Sequence, residues 1–300
     1  MFEKRTDLAL ETHEMHGNDS GISVVEEMKS GIRVITAEVD GEKKKQGVKH
    51  PSGKYITLEI GKIWQRDRKT RADTANAIAA ELKELLPKGD GCVLVAGLGN
   101  YEITPDSLGP RAVKRLLVTR HIEIMDDVLF RDAGFESLAA IAPGVLAQTG
   151  IESAEIIKSV CAKIKPKCVI VIDALASRRM NRLATTVQLS DGGIVPGSGV
   201  SNKRSGLDAS VLGVPVISVG VPMVVDAATL ALDLLEAHYG REDESFFKSV
   251  EKVLAENASE TFVTPKENDV IVKEAARLVA TAINIAVQRM TAEEIEEYIG

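Results

Sequence analysis

Cysteine is scarce in this 300-residue chain: only Cys92, Cys161 and Cys168 occur, with no Cys-x-x-Cys spacing. An odd, low count argues against a disulfide framework and for reduced, buried thiols. Histidine is almost as sparse, and His13, His16, His50, His121 and His238 show no His-Glu-x-x-His or other zinc spacing. Long apolar runs are missing. Nothing approaches the ~18 residues of a membrane span, and Glu3, Lys4, Arg5 and Asp7 interrupt any signal-like start. The expectation is therefore a cytoplasmic protein with no membrane partner. An excess of positive charge is also missing. The net charge of −7 argues against a general nucleic-acid binder, though not against action on proteins that themselves bind DNA.

What is present fits a large α/β domain. Hydrophobic residues make up 44% and charged residues 27%, ordinary values for a globular chain long enough to bury a sizeable core. Ile32–Thr36 and Tyr55–Ile60 alternate as half-buried strands do. Residues 70–86 have apolar positions three and four apart, a helical pattern. Cys92–Ala96, Cys168–Ile172 and Val214–Val219 are short apolar runs of the kind that form buried parallel strands, and Thr185–Leu189 reads as a further strand. Helices are expected from about Ser107 to Val118, over Ile151–Lys165, Ala227–Glu236 and Glu267–Gln288, with residues 123–150 loop-rich. The β-α-β rhythm from 92 to 239 predicts a mainly parallel, helix-covered sheet with added N-terminal strands.

Two acids stand out in that framework. The first apolar run leads through Gly97-Leu-Gly-Asn100 to Asp106, and the run 168–172 leads directly to Asp173. Open α/β sheets place ligands at the carboxyl ends of their strands, so the pair suggests an active site. Each acid alone also reads as a helix N-cap. A dinucleotide fingerprint fails because Glu102 stands where its third glycine belongs. Ser198 is no nucleophile elbow, since Pro196 breaks Gly-x-Ser-x-Gly, and no cysteine has a neighbouring histidine to activate it. The loop Gly197–Arg204 reads either as an anion cradle built from amides, Lys203 and Arg204, or as a plain Gly-rich connection. His121 could complete a metal site with Asp106 and Asp173, or serve as a helix-end cation or core hydrogen bonder.

In sequence order, Arg5-Thr-Asp-Leu-Ala9, Gly97–Asn100, Thr104-Pro-Asp-Ser-Leu-Gly-Pro110, Leu117–His121, Ala142-Pro-Gly144, Val171-Ile-Asp-Ala-Leu-Ala176, Pro196–Gly199, Asn202-Lys-Arg204 and Thr264–Glu267 resemble the spore germination protease family. That resemblance implies an endopeptidase that starts the breakdown of small acid-soluble spore proteins in the spore core. It implies a precursor that processes itself, a homotetramer, no cofactor or metal, and a fold similar to the hydrogenase-maturation proteases. It also implies an atypical aspartic mechanism whose two acids match Asp106 and Asp173. The segment ahead of Asp7 and the region from about Gly240 to Phe262 are shorter here than is usual for the family.

Several expectations follow. Residues 1–7 form a short propeptide-like segment and residues 8–300 one peptidase domain. One carboxyl is ionised and takes a proton from water, while the other is protonated and polarises the scissile carbonyl. Gly97, Gly99 and Asn100 bind substrate, their glycines letting its backbone come close and their amides serving an oxyanion. Lys203 or Arg204 reads an acidic side chain before the scissile bond. Self-cleavage falls between Asp7 and Leu8 in an exposed, charged N-terminal stretch. A metal-dependent peptidase and a non-catalytic nucleotide or anion binder are the competing readings.

Overall fold

The computed structural model describes residues 4–17, 20–44, 48–195, 206–240, 243–258 and 261–299. The Gly-rich loop with Pro196–Gly199, Lys203 and Arg204 lies outside the described residues. In chain order the elements are α1 (Ala9–His16), β1 (Ile22–Lys29), β2 (Ile32–Val39), β3 (Gly53–Glu59), α2 (Arg68–Leu85), β4 (Val93–Gly97), α3 (Leu108–Val113), α4 (Arg120–Met125), α5 (Asp127–Asp132), β5 (Leu138–Ile141), α6 (Leu146–Thr149) and α7 (Ser153–Ile164). They continue with β6 (Cys168–Ser177), β7 (Thr186–Ser190), α8 (Ala209–Leu212), β8 (Val216–Asp226), α9 (Ala227–Tyr239), α10 (Glu244–Asn257), β9 (Phe262–Val263), α11 (Asn268–Gln288) and α12 (Ala292–Ile299).

Among the described residues the strands form one sheet in the order β1-β2-β3-β7-β8-β6-β4-β5, with β9 on the far end of β8. The block β8-β6-β4-β5 is parallel, and β1, β2, β3 and β7 extend it antiparallel from the N-terminal side. The apolar runs fill its centre for a simple reason: with helices on both faces, both faces of each strand must be apolar. On one face, Val93, Val95, Ile170, Ile172, Val219 and Val221 pack against α2, α3 and α11. On the other, Leu94, Ala96, Val169 and Val171 pack against α7 and α8. Helix α11 is buried on nearly every side in its C-terminal half, from Leu278 to Gln288, which explains why that half is mostly apolar.

Two strands outrun their sequence patterns. β6 continues past Ile172 to Ser177 and β8 past Val219 to Asp226, because both stay covered although Asp173, Ser177 and Gly220 break the apolar run. The expected helix from Ser107 to Val118 shrinks to a 3-10 turn at Thr104–Asp106 followed by the short α3. The loop-rich stretch 123–150 holds α4 through α6 and the edge strand β5. Its short, exposed helices bury little and leave little periodicity to read. Helix α10 carries its own start signal, with Asp243 accepting from the Ser245 and Phe246 amides.

Candidate active site

Two stretches of chain meet where β4 ends. Gly97, the last β4 residue, is in register with Ile172 of β6, and the Leu98 N–H then donates to Ile172 O at 2.8 Å. Asp173 is the next residue of β6. It is 6% exposed, stands opposite Gly220 of β8, and its Oδ1 accepts from the Ala174 amide at 2.9 Å. Asp173 therefore lies inside a strand that overhangs its β4 neighbour, which rules out the helix-cap reading.

Asp106 ends the Thr104–Asp106 turn, a segment that packs against β6 and β8. Its Oδ2 accepts from the Asn100 amide at 2.7 Å. Helix α3 starts at Ser107 with no side-chain cap, so the cap reading fails here too. The Gly97–Asn100 turn thus ties the two acids together. One end is bonded to the residue before Asp173, the other to Asp106 itself.

The glycines make this closeness possible. Gly99 has φ +109°, and a Cβ there would lie 1.9 Å from Asp106 O, so only glycine fits. A Cβ on Gly97 would lie 2.3 Å from Gly109 O of α3. The bare backbone of Gly97 therefore admits the close approach of the helix. In the turn, the Leu98 and Asn100 amides are already engaged by Ile172 and Asp106, which leaves the Gly99 amide as the turn's donor for an incoming carbonyl. The Asn100 side chain accepts from Gln148 Nε2 at 2.7 Å and from the Glu102 amide at 3.0 Å.

A cavity of about 1250 Å³ reaches the neighbours of Asp173. Gly220, its register partner, and Leu175, two residues on and so on the same strand face, form part of the wall. Further walls come from Arg5–Asp7, from α1 and from α10.

The N-terminal segment is not loose. The Asp7 N–H donates to Ala176 O, and the Ala176 N–H donates to Asp7 Oδ2, both at 2.8 Å. Gln188 of β7 grips the chain at two points, donating from Nε2 to Asp7 O at 2.9 Å and accepting from the Ala9 amide at 3.0 Å. Leu8 is 0% exposed. The expected exposure of the Asp7–Leu8 bond is therefore incorrect: its backbone is hydrogen-bonded and its apolar side chain is in the core. The alternative of a first strand over Arg5–Ala9 also fails, because no strand forms there and α1 begins at Ala9.

A buried ion network secures this segment, and the sequence reading missed it. Glu11 of α1 is 0% exposed. It accepts from the Arg178 amide at 2.6 Å, the Arg179 amide at 3.0 Å, Arg182 Nη1 at 3.2 Å and the Thr6 hydroxyl. Lys4 and Arg178 share Asp233 of α9. The available signal was Glu11 and Glu14 on one helix face, matched by Arg178, Arg179 and Arg182 after β6. The clamp by Gln188 left no signal in a strand where Thr186, Gln188 and Ser190 alternate with apolar residues.

His121 does not join the two acids. It is exposed in the first turn of α4, following Thr119, whose amide bonds Leu138 O. Leu138 pairs with Val93, at the amino ends of β5 and β4, while both aspartates sit past the carboxyl end of β4. The helix-end and core readings fail as well, because the residue begins its helix and faces solvent. Among the described residues no group of three or more His, Cys, Asp or Glu could hold a metal ion. All three thiols are free and buried, and burial pushes Cys168 up to about 12. No helix among the described residues is long and apolar enough to cross a membrane.

Comparison with known proteins places the chain. A solved hydrogenase maturation protease, HycI from Thermococcus kodakarensis, is similar at 16% identity and a TM-score of 0.39, covering 69% of this chain and 98% of that one. Germination proteases are much nearer in sequence. That of Caldanaerobacter subterraneus is 40% identical over 98% of both chains. That of Clostridium acetobutylicum is 39% identical over 100% of both. A family profile described as Germination protease matches residues 2–248, so this chain belongs to the germination protease family and is a peptidase.

Proposed function

We propose that the protein is an endopeptidase of small acid-soluble spore proteins, acting early in germination, with Asp106 and Asp173 as its catalytic pair. The observation that carries this reading is the Gly97–Asn100 turn, hydrogen-bonded at one end beside Asp173 and at the other to Asp106. Two carboxyls brought to one poorly hydrated place share a proton, since ionising both there is unfavourable. The ionised member takes a proton from an attacking water, and the protonated member donates to the scissile carbonyl. In this reading the Gly99 amide assists the developing oxyanion. The cavity beside Asp173 supplies room for several residues of an extended substrate chain.

The same reading includes a precursor state. Residues 1–7 would be removed by cleavage between Asp7 and Leu8, after the segment has left its bonds to Ala176 and Gln188. Lys203 and Arg204 remain candidates for reading an acidic substrate residue, and a homotetramer in the spore core remains the proposed assembly.

Asp106→Asn and Asp173→Asn test the pair. Each variant should keep its circular dichroism spectrum and lose roughly 10²–10⁴-fold in cleavage of a purified spore protein, followed by mass spectrometry of the fragments. Wild-type rates in either variant would remove that aspartate from the mechanism. Rates that fall on treatment with EDTA and return with added metal would favour a metal-dependent peptidase.

A further inference from the structure

A pair of cations stands at the end of the helix that follows Asp106. Arg111 and Lys114 lie three apart at the end of α3, on one side of the helix. Both pack on the ring of Tyr101, which follows Asn100 in the active-site turn. The Arg111 Cζ is 4.9 Å from the ring centroid and the Lys114 Nζ 3.8 Å. The Arg111 Nε donates to Ser107 Oγ at 2.8 Å, and Ser107 directly follows Asp106. The patch is thus anchored to both neighbours of that acid, Asn100–Tyr101 on one side and Ser107 on the other.

This arrangement runs against the chain's charge. The protein has 44 acidic and 37 basic residues, and many of its described cations sit in ion pairs, as Lys4, Arg5, Arg33 and Arg182 do. Among the described residues no carboxylate lies within ion-pair distance of Arg111 or Lys114. Two like charges one helical turn apart repel, and helical pairs of this kind are mildly destabilising. Tyr101 offsets part of that repulsion through its ring face and holds both side chains in place. With its Nε engaged by Ser107 and its face on the ring, the guanidinium keeps its Nη groups for a planar acceptor. A carboxylate is such an acceptor.

We propose that Tyr101, Arg111 and Lys114 form a subsite that takes an acidic side chain of the polypeptide presented to Asp106 and Asp173. The proposal rests on the peptidase reading of those two aspartates. Its occupant is a carboxylate on a peptide, because a chain with an excess of acids repels extended polyanions such as nucleic acids.

The test uses the full-length protein and a spore-protein peptide that the wild type cleaves, with each Glu or Asp changed in turn to Gln or Asn. At one position the amide should lower wild-type kcat/KM roughly tenfold. In the double variant Arg111→Gln/Lys114→Gln the same exchange should change nothing. Arg111→Lys, which keeps the charge but loses the fork, should give intermediate discrimination. The same acid-to-amide difference should appear in binding of fluorescent peptide to Asp106→Asn, measured by anisotropy without turnover, and should shrink with added salt. Full discrimination retained in the double variant overturns the subsite, as does an equal loss on acidic and amide peptides. Loss of binding to a single-stranded oligonucleotide, with peptide discrimination intact, overturns the choice of occupant. If the wild type cleaves no peptide while anisotropy still shows the acid preference, the peptidase reading fails and the carboxylate site stands.

Discussion

At the scale of single residues, the fold leaves His50 in an unusual place. Its Nε2 lies 2.9 Å from Thr12 Oγ1, its ring meets Tyr55 edge-on at 5.3 Å, and Lys44 donates to its carbonyl at 2.7 Å. Burial, aided by the Lys44 charge, pushes the imidazole down from 6.5 to about 4. The unfolded chain takes up a proton on this residue as pH falls through 6.5, whereas the folded chain resists until about 4. The stability due to a neutral His50 is therefore full above pH 6.5, falls across the interval and is gone near pH 4. Between pH 7 and pH 5 the loss from this residue alone is about 2 kcal/mol. His50→Asn should flatten that part of the stability curve, read as urea midpoints at the two pH values. An unchanged difference between them would show that acid sensitivity arises elsewhere.

Among elements, α1 and the chain before it depend on charges deep in the structure. Removing the Glu11 carboxylate would take the acceptor from the Arg178 and Arg179 amides and leave Arg182, itself 7% exposed, with Glu14 as its one remaining carboxylate partner. Losing one member of a buried pair costs about 3–5 kcal/mol, so Glu11→Ala should lower stability in chemical denaturation by that order. It should also free residues 4–8 and speed cleavage between Asp7 and Leu8, seen by N-terminal sequencing over time. Slower processing in this variant, or a new terminus at another residue, would count against that site. This network also marks the limit of sequence reading. The strands 93–97 and 168–172 were legible because parallel strands buried on both faces must be apolar throughout. Asp173 stood out because a carboxylate directly after the apolar run 168–172 breaks its pattern, and Asp106 because it comes after the Gly-rich turn that ends the other run. The ends of β6 and β8, the clamp by Gln188 and the docking of Asp7 on Ala176 were not. Each depends on what lies across the sheet, the bonds of Gln188 and Ala176 to Asp7 spanning 181 and 169 residues, and local periodicity carries no trace of such partners.

At the scale of the molecule, the described strands share one sheet, and α11 packs across the core built by α2, α3 and the central strands. Residues 8–300 should accordingly unfold as a unit. Calorimetry should show one transition with equal calorimetric and van't Hoff enthalpies, and two resolved transitions would divide the chain into separate domains. The mutual bonds of Asp7 and Ala176 have a consequence for measurement. Ala176 lies three residues beyond Asp173 on the same strand, and its amide hydrogen is held by Asp7 near the start of the chain. Deuterium can replace that hydrogen only when Asp7 lets go. The exchange rate of this one peptide group is thus a clock for release of the chain's beginning, readable beside the candidate active site before any bond is cut.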